Sequence, residues 1–145
     1  MQTPPTAAVA IIRVSQPEDS FLLLRRTSNP SDPWSGHFAF PGGRRDKIDD
    51  TLLDTCTRET LEETGIDLSS TTICGTLPAR LAGGRVNSPI LVQPYIFKLD
   101  ERPPLELDPR EIQSYFWLPA ASFLNPDLHV EAEILPNRYF PAFPL

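Results

Sequence analysis

Apolar residues fall along the chain in short runs separated by turn-forming residues, never in one long block. Ala7 to Val14 is aliphatic and β-branched almost throughout, the pattern of a buried strand. Ser15 to Asp19 supplies turn residues, so Phe21 to Arg26 is expected to return as its hairpin partner. Phe38 to Phe40 reads as a short strand stopped by Pro41-Gly42-Gly43. Thr71 to Leu77 and Ile90 to Leu99 read as strands, the second with alternating Tyr95, Phe97 and Leu99. Ser114 to Leu118 and Leu128 to Ile134 complete the strand set, with a helical turn or two expected over Pro119 to Leu124.

Helical periodicity is clearest over Thr51 to Thr64. Leu52, Leu53, Cys56, Thr60 and Leu61 are expected to face inward, with Asp49 or Asp50 as N-cap. Gly65 stands where a left-handed C-cap belongs. The expected architecture is a single α/β domain over residues 1–145 with a mixed sheet. Such a sheet has two apolar faces, and each needs cover. With one long helix legible, loops and a partner subunit (a homodimer) shield the second face, or a C-terminal covering helix is absent.

Composition narrows the function. A length of 145 residues suits one domain with a real core. Seventeen prolines are spread along the chain, which implies stiff loops between short strands rather than disorder. No apolar run approaches the roughly 20 residues of a membrane span, and the N-terminus does not read as a secretory signal. The net charge of −6 argues against a nucleic-acid duplex as partner. Cys56 and Cys74 form no metal or disulfide framework, and both are read as reduced core thiols of a cytoplasmic protein.

The chemistry concentrates between Phe40 and Gly65. Glu59, Glu62 and Glu63 fall at i, i+3 and i+4, so a helix sets three carboxylates on one face within about one turn. They also crowd the C-terminal end of that helix, where the dipole disfavours anions. A helix face arranged for stability alone would avoid this, and Arg58 is the helix's only basic residue. Mg²⁺ or Mn²⁺ would resolve the conflict, since carboxylate oxygens are their preferred ligands. Gly42 and Gly43 let backbone pass close to a metal or phosphate, and Arg58 can hold a carboxylate by a bidentate contact.

Gly43, Asp49, then Arg58-Glu59-Thr60-Leu61-Glu62-Glu63-Thr64-Gly65-Ile66 resembles the Nudix box. Asp49 stands for its first glutamate and Thr60 for an aliphatic residue, and one extra residue separates Asp49 from Arg58. The resemblance implies a Nudix-type α/β/α sandwich and hydrolysis of a diphosphate linkage in a nucleotide-like small molecule. It implies Glu62 and Glu63 as principal metal ligands, Glu59 as ligand or base, and the Gly43 carbonyl as a further ligand. Arg58 joins the catalytic set.

Gly42 to Asp49, together with Leu23-Leu24-Arg25-Arg26 and Asp32 to Pro41, resembles the coenzyme A pyrophosphatase branch. Arg26 and Gly36 match that branch, Thr27 stands for its serine, and Asp32 takes a basic position.

Arg25, Arg26, Arg44 and Trp34 are the candidate substrate contacts, although Arg25 and Arg26 also suit solvated strand-end charges and Trp34 also suits a loop anchor. Arg80 and Arg85 are read as surface charges of a flexible loop. Glu111 is read as a solvated loop acid, the alternative being the metal-binding or water-activating acid that some relatives carry in this region. His37 precedes the glycine pair, and His129 is read as peripheral. Two other functions fit less of the chain: a non-catalytic nucleotide-binding module, and an isoprenoid diphosphate isomerase, for which no cysteine–glutamate pair can be placed.

Overall fold

The computed structural model describes residues 4–28, 38–82, 90–121, 130–135 and 138–142. Asp32, Trp34, Gly36, His37, Arg85 and His129 lie outside the described residues. β1 (Ala7–Gln16) is the centre of an eight-stranded sheet. It runs antiparallel to β2 (Ser20–Arg26) and β4 (Gly42–Arg44), and parallel to β7 (Ile90–Glu101). β3 (Phe38–Ala39) and β8 (Ile112–Pro119) pair with β2, while β5 (Ile73–Thr76) and β6 (Arg80–Ala82) pair with β7. Parallel and antiparallel pairings thus meet in one mixed sheet, as expected.

Alternation along β1 decides which face is the core. Ala8, Ala10, Ile12 and Val14 are fully buried, whereas Val9 and Ile11 are half-buried and Arg13 is exposed. Ala8 and Ala10 share a cluster with Cys56 of α1 (Leu52–Thr64), Leu22, Leu24 and Phe97. Alanine at two successive inward positions leaves room for the helix to lie close to the strand.

Both ends of α1 are fixed by local chemistry. The N-cap is Thr51, not Asp49 or Asp50. Its hydroxyl accepts from the Asp54 N–H at 3.2 Å, and the Asp54 carboxylate accepts from the Thr51 N–H at 3.1 Å. This reciprocal pair satisfies two donors at once. Asp49 is freed for another task. At the other end Gly65 adopts φ 76° and its N–H reaches the Leu61 carbonyl at 2.9 Å. The carbonyls of Glu63 and Thr64, the last two of the helix, are covered by the segment after β7. Glu106 N–H donates to Thr64 O at 2.8 Å, and Asp108 N–H to Glu63 O at 3.2 Å.

Several sequence expectations need correction. Leu61 does not face inward: it is 48% exposed, and the buried side of the helix holds Thr55, Cys56, Thr60, Glu63 and Thr64. Cys74 is exposed rather than a core thiol; Cys56 is buried. Arg80 belongs to strand β6 rather than to a loop. The strand expected at Thr71 begins at Ile73, and those expected to end at Leu99 and begin at Ser114 instead reach Glu101 and start at Ile112. The late strand is β9 (Val130–Leu135), and β10 (Arg138–Ala142) pairs with it as a separate two-stranded sheet. Of the turn expected after Pro119, Ala120 and Ala121 are the residues described. No helix among the described residues is long and apolar enough to cross a membrane.

Candidate active site

The site forms where β4, the last two turns of α1 and the turn before β8 converge. Glu63 is its buried member, with a side chain only 3% exposed. Its carboxylate accepts from the Gly42 N–H at 2.9 Å, and Arg26 Nη1 stands 3.9 Å away. Burial pushes the Glu63 carboxyl up to about 8, helped by the charges of Glu59 and Glu111, while the Gly42 N–H and Arg26 pull the other way.

Gly42 can approach so closely because it has no side chain. A Cβ there would lie 2.1 Å from the Ala8 carbonyl oxygen. Gly43 makes a similar concession to Glu59: a Cβ on Gly43 would stand 2.6 Å from the Glu59 carboxyl carbon. Burial likewise raises the Glu59 carboxyl, with Glu62 and Glu111 adding repulsion and Arg58 opposing it. Carboxylate oxygens of Glu59, Glu63 and Glu111 all lie within 4.8 Å of one another.

The preferred sequence reading does not assemble this trio, although metal binding is its alternative for Glu111. Glu62, predicted as a principal ligand, is not among the three. Its side chain is 56% exposed and lies 3.3 Å from Arg58 Nη1. Glu111, read as a solvated loop acid, joins Glu59 and Glu63 instead. It lies 48 positions past Glu63 in the chain, and only the sheet topology brings it back. The available signal was Asp108-Pro109, a turn dipeptide immediately ahead of a strand.

Arg58 organises the acids from the outside. Its Nε and Nη2 donate to the two oxygens of Asp49 at 2.9 and 2.8 Å, a bidentate contact. Nη1 donates to Glu59 at 3.0 Å, and Nη2 also reaches the Arg44 carbonyl at 3.3 Å. Asp49 further accepts from the Thr55 hydroxyl at 2.9 Å and the Asp46 N–H at 2.8 Å. The Arg58 guanidinium holds the Asp49 carboxyl well below the usual carboxylate range, although burial opposes it. The shorter Asp49 side chain therefore still closes the ion pair.

The remaining cations divide. Arg26 borders Glu63, whereas the Arg25 guanidinium lies 5.6 Å from the centre of the Phe38 ring, and Phe38 packs edge-on against Phe116. Arg44 is exposed at the end of β4, next to the glycine pair. Arg45 is engaged by the Asp49 and Asp50 carbonyls at 3.1 and 2.7 Å.

Three carboxylates at this separation, one deeply buried, repel strongly in low dielectric. Burial and that repulsion raise the Glu63 and Glu59 carboxyls, and a hard divalent cation is the partner that would hold all three ionised together. The oxygen-only donor set, the buried Glu63 and the side-chain-free Gly43 against Glu59 all fit Mg²⁺ or Mn²⁺.

Residues 4–137 match the model of the NUDIX domain. Over 121 residues, 81% of this chain, it is 36% identical to an uncharacterised protein of Schizosaccharomyces pombe, covering 37% of that protein. Over 120 residues, 82% of this chain, it is 31% identical to the uncharacterised Nudix hydrolase NudL of Photorhabdus laumondii, covering 61% of it. The chain thus spans less than two thirds of either relative. Among solved structures, the Ap4A hydrolase of C. elegans superposes with a TM-score of 0.61 at 26% identity, over 79% of this chain and 80% of that one.

Proposed function

The chain belongs to the Nudix family, and from that premise we propose that it hydrolyses a phosphoanhydride in a nucleoside diphosphate derivative, with Mg²⁺ or Mn²⁺ held by Glu59, Glu63 and Glu111. One observation carries the reading: three carboxylates, one of them almost fully buried, converge within 4.8 Å of one another. The Gly43 carbonyl completes this first ligand set. Glu62, exposed on the same helix, is available to a further cation shared with substrate phosphates. A bound cation would polarise the phosphoanhydride and lower the pKa of attacking water.

The chain's own residues then divide the work. Glu63 is a ligand, fixed by Gly42 and withheld from solvent. Glu59 and Glu111 retain access to solvent, and one of them takes the proton of the attacking water. Arg58 keeps Glu59 in place and is itself locked by Asp49. Arg26 and Arg44 are the cations offered to substrate phosphates. Trp34 and Arg25 are secondary contacts in this reading.

Coenzyme A-like compounds head the substrate list, on the strength of Leu23 to Arg26 and Gly42 to Asp49. Dinucleotides follow, in keeping with the printed name of the C. elegans relative, and then nucleotide sugars. A cytoplasmic setting suits the two free thiols. The test is a panel of these compounds incubated with Mg²⁺ in ¹⁸O-water and read by mass spectrometry. The expected result is two phosphorylated fragments, one carrying a single ¹⁸O, and these are a pair of monophosphates when the substrate is diphosphate-linked. Binding without products would support a nucleotide-binding module instead. Turnover that survives Glu63→Gln would refute the ligand assignment.

A further inference from the structure

Glu111 reaches the other two glutamates on a four-residue turn, Asp108 to Glu111, and that turn is held from two sides. On the helix side, the Asp108 N–H donates to the Glu63 carbonyl at 3.2 Å. Within the turn, the Asp108 carbonyl accepts from Glu111 N–H at 3.1 Å and Ile112 N–H at 2.8 Å. On the sheet side the contacts come from one residue, Thr27, at the end of β2. Its N–H donates to the Glu111 carbonyl at 2.8 Å and its hydroxyl to the Pro109 carbonyl at 3.2 Å. Thr27 follows Arg26, which pairs in register with Ile112 and lies 3.9 Å from Glu63.

From this arrangement we infer that Thr27 is a positioning residue: its two hydrogen bonds set where Glu111 meets Glu59 and Glu63, without contacting the cation or substrate. The inference rests on the proposed cation site. The turn is fixed where Asp108 meets α1 and where Ile112 enters β8, but without Thr27 the stretch between them could swing, and Glu111 in it is the exposed member of the trio. The second tether restricts that swing, which is how a supporting hydrogen bond tunes a metal ligand it does not itself provide.

The experiment measures Mn²⁺ binding to the full chain by electron paramagnetic resonance of the free ion, in four variants beside the wild type. Thr27→Val removes the hydroxyl at nearly constant shape, and Thr27→Ser keeps it. Glu111→Gln removes the ligand, and the fourth variant combines Thr27→Val with Glu111→Gln. Thr27→Val should weaken Mn²⁺ about fivefold, the worth of one neutral hydrogen bond, and Thr27→Ser should stay near wild type. In the Glu111→Gln background, Thr27→Val should add nothing. If Glu111→Gln weakens binding but Thr27→Val does not, or the two effects add fully, the role of Thr27 is overturned and the cation site stands. If Glu111→Gln leaves Mn²⁺ affinity unchanged, the site itself is wrong and the inference falls with it.

Discussion

The Gly42 N–H and the Glu63 carboxylate, 21 positions apart, meet in a 2.9 Å hydrogen bond at the centre of the site. The bond ties β4 to the last turn of α1 and gives a buried carboxylate one of its few donors. Gly42 can make it because, lacking a side chain, it lies close against β1, whereas the missing side chain of Gly43 makes room for Glu59.

Substitution separates them. Alanine at Gly42 drives its Cβ into the Ala8 carbonyl oxygen and the Val9 backbone, which belong to the central strand and cannot yield cheaply. Gly42→Ala should cost about 3 kcal/mol in urea denaturation. Alanine at Gly43 meets only the far end of the Glu59 side chain. Gly43→Ala should change stability by less than about 1 kcal/mol while weakening Mn²⁺ binding several-fold. Equal stability losses in both variants would contradict this division.

The Asp49–Arg58 pair carries a pH signature. The folded carboxyl sits below its unfolded value of about 3.9, so its contribution is fully present above that value and fades as pH falls toward the folded one. Asp49→Asn should cost about 2 kcal/mol at neutral pH, below the figure for a fully buried pair because Arg58 is 20% exposed and keeps Glu59. The variant should also lose part of the wild-type decline in stability between about pH 5 and pH 2. Melting curves across that range would decide, and parallel slopes for the two proteins would count against the assignment.

Thr60 is fully buried, and its hydroxyl faces the Cys56 thiol, a weak partner, with no geometrically sound hydrogen bond to any other group among the described residues. A buried hydroxyl left unpaired costs about 1 kcal/mol or more. Thr60→Val, which restores the aliphatic residue of the family pattern, should raise the urea midpoint by an equivalent of about 1 kcal/mol. A lower midpoint would mean that the hydroxyl has a polar partner.

The thiols should differ in the same protein. Cys74 is exposed on β5, whereas burial pushes the Cys56 thiol up to about 12. A thiol reagent at pH 8 should modify one cysteine rapidly and the second only after unfolding. Rapid reaction of both would show that α1 opens from the sheet.

Local rules made the helix, the central hairpin and Gly65 legible, because each rests on neighbours a few positions apart. Glu59 and Glu63 were legible for the same reason. What stayed hidden depends on distant partners. β4 consists of two glycines and an arginine, and only pairing with β1 makes it a strand. Leu61 is more apolar than Glu63, so periodicity places the leucine inside. The fold does the opposite, because this end of the helix buries the Glu63 carboxylate against the Gly42 N–H. Asp108-Pro109 marks a turn but not what it faces, and Glu111 reaches Glu59 and Glu63 through the register between β2 and β8.

One ion decides whether the three carboxylates form a catalytic centre. Crystals of the chain grown with Mn²⁺ and a non-hydrolysable diphosphate analogue, measured at the manganese edge, locate it without reference to activity. An anomalous peak bounded by Glu59, Glu63 and Glu111, with analogue phosphates beside it, is the predicted result. Manganese bound elsewhere, with those three side chains holding no ion, would contradict the account.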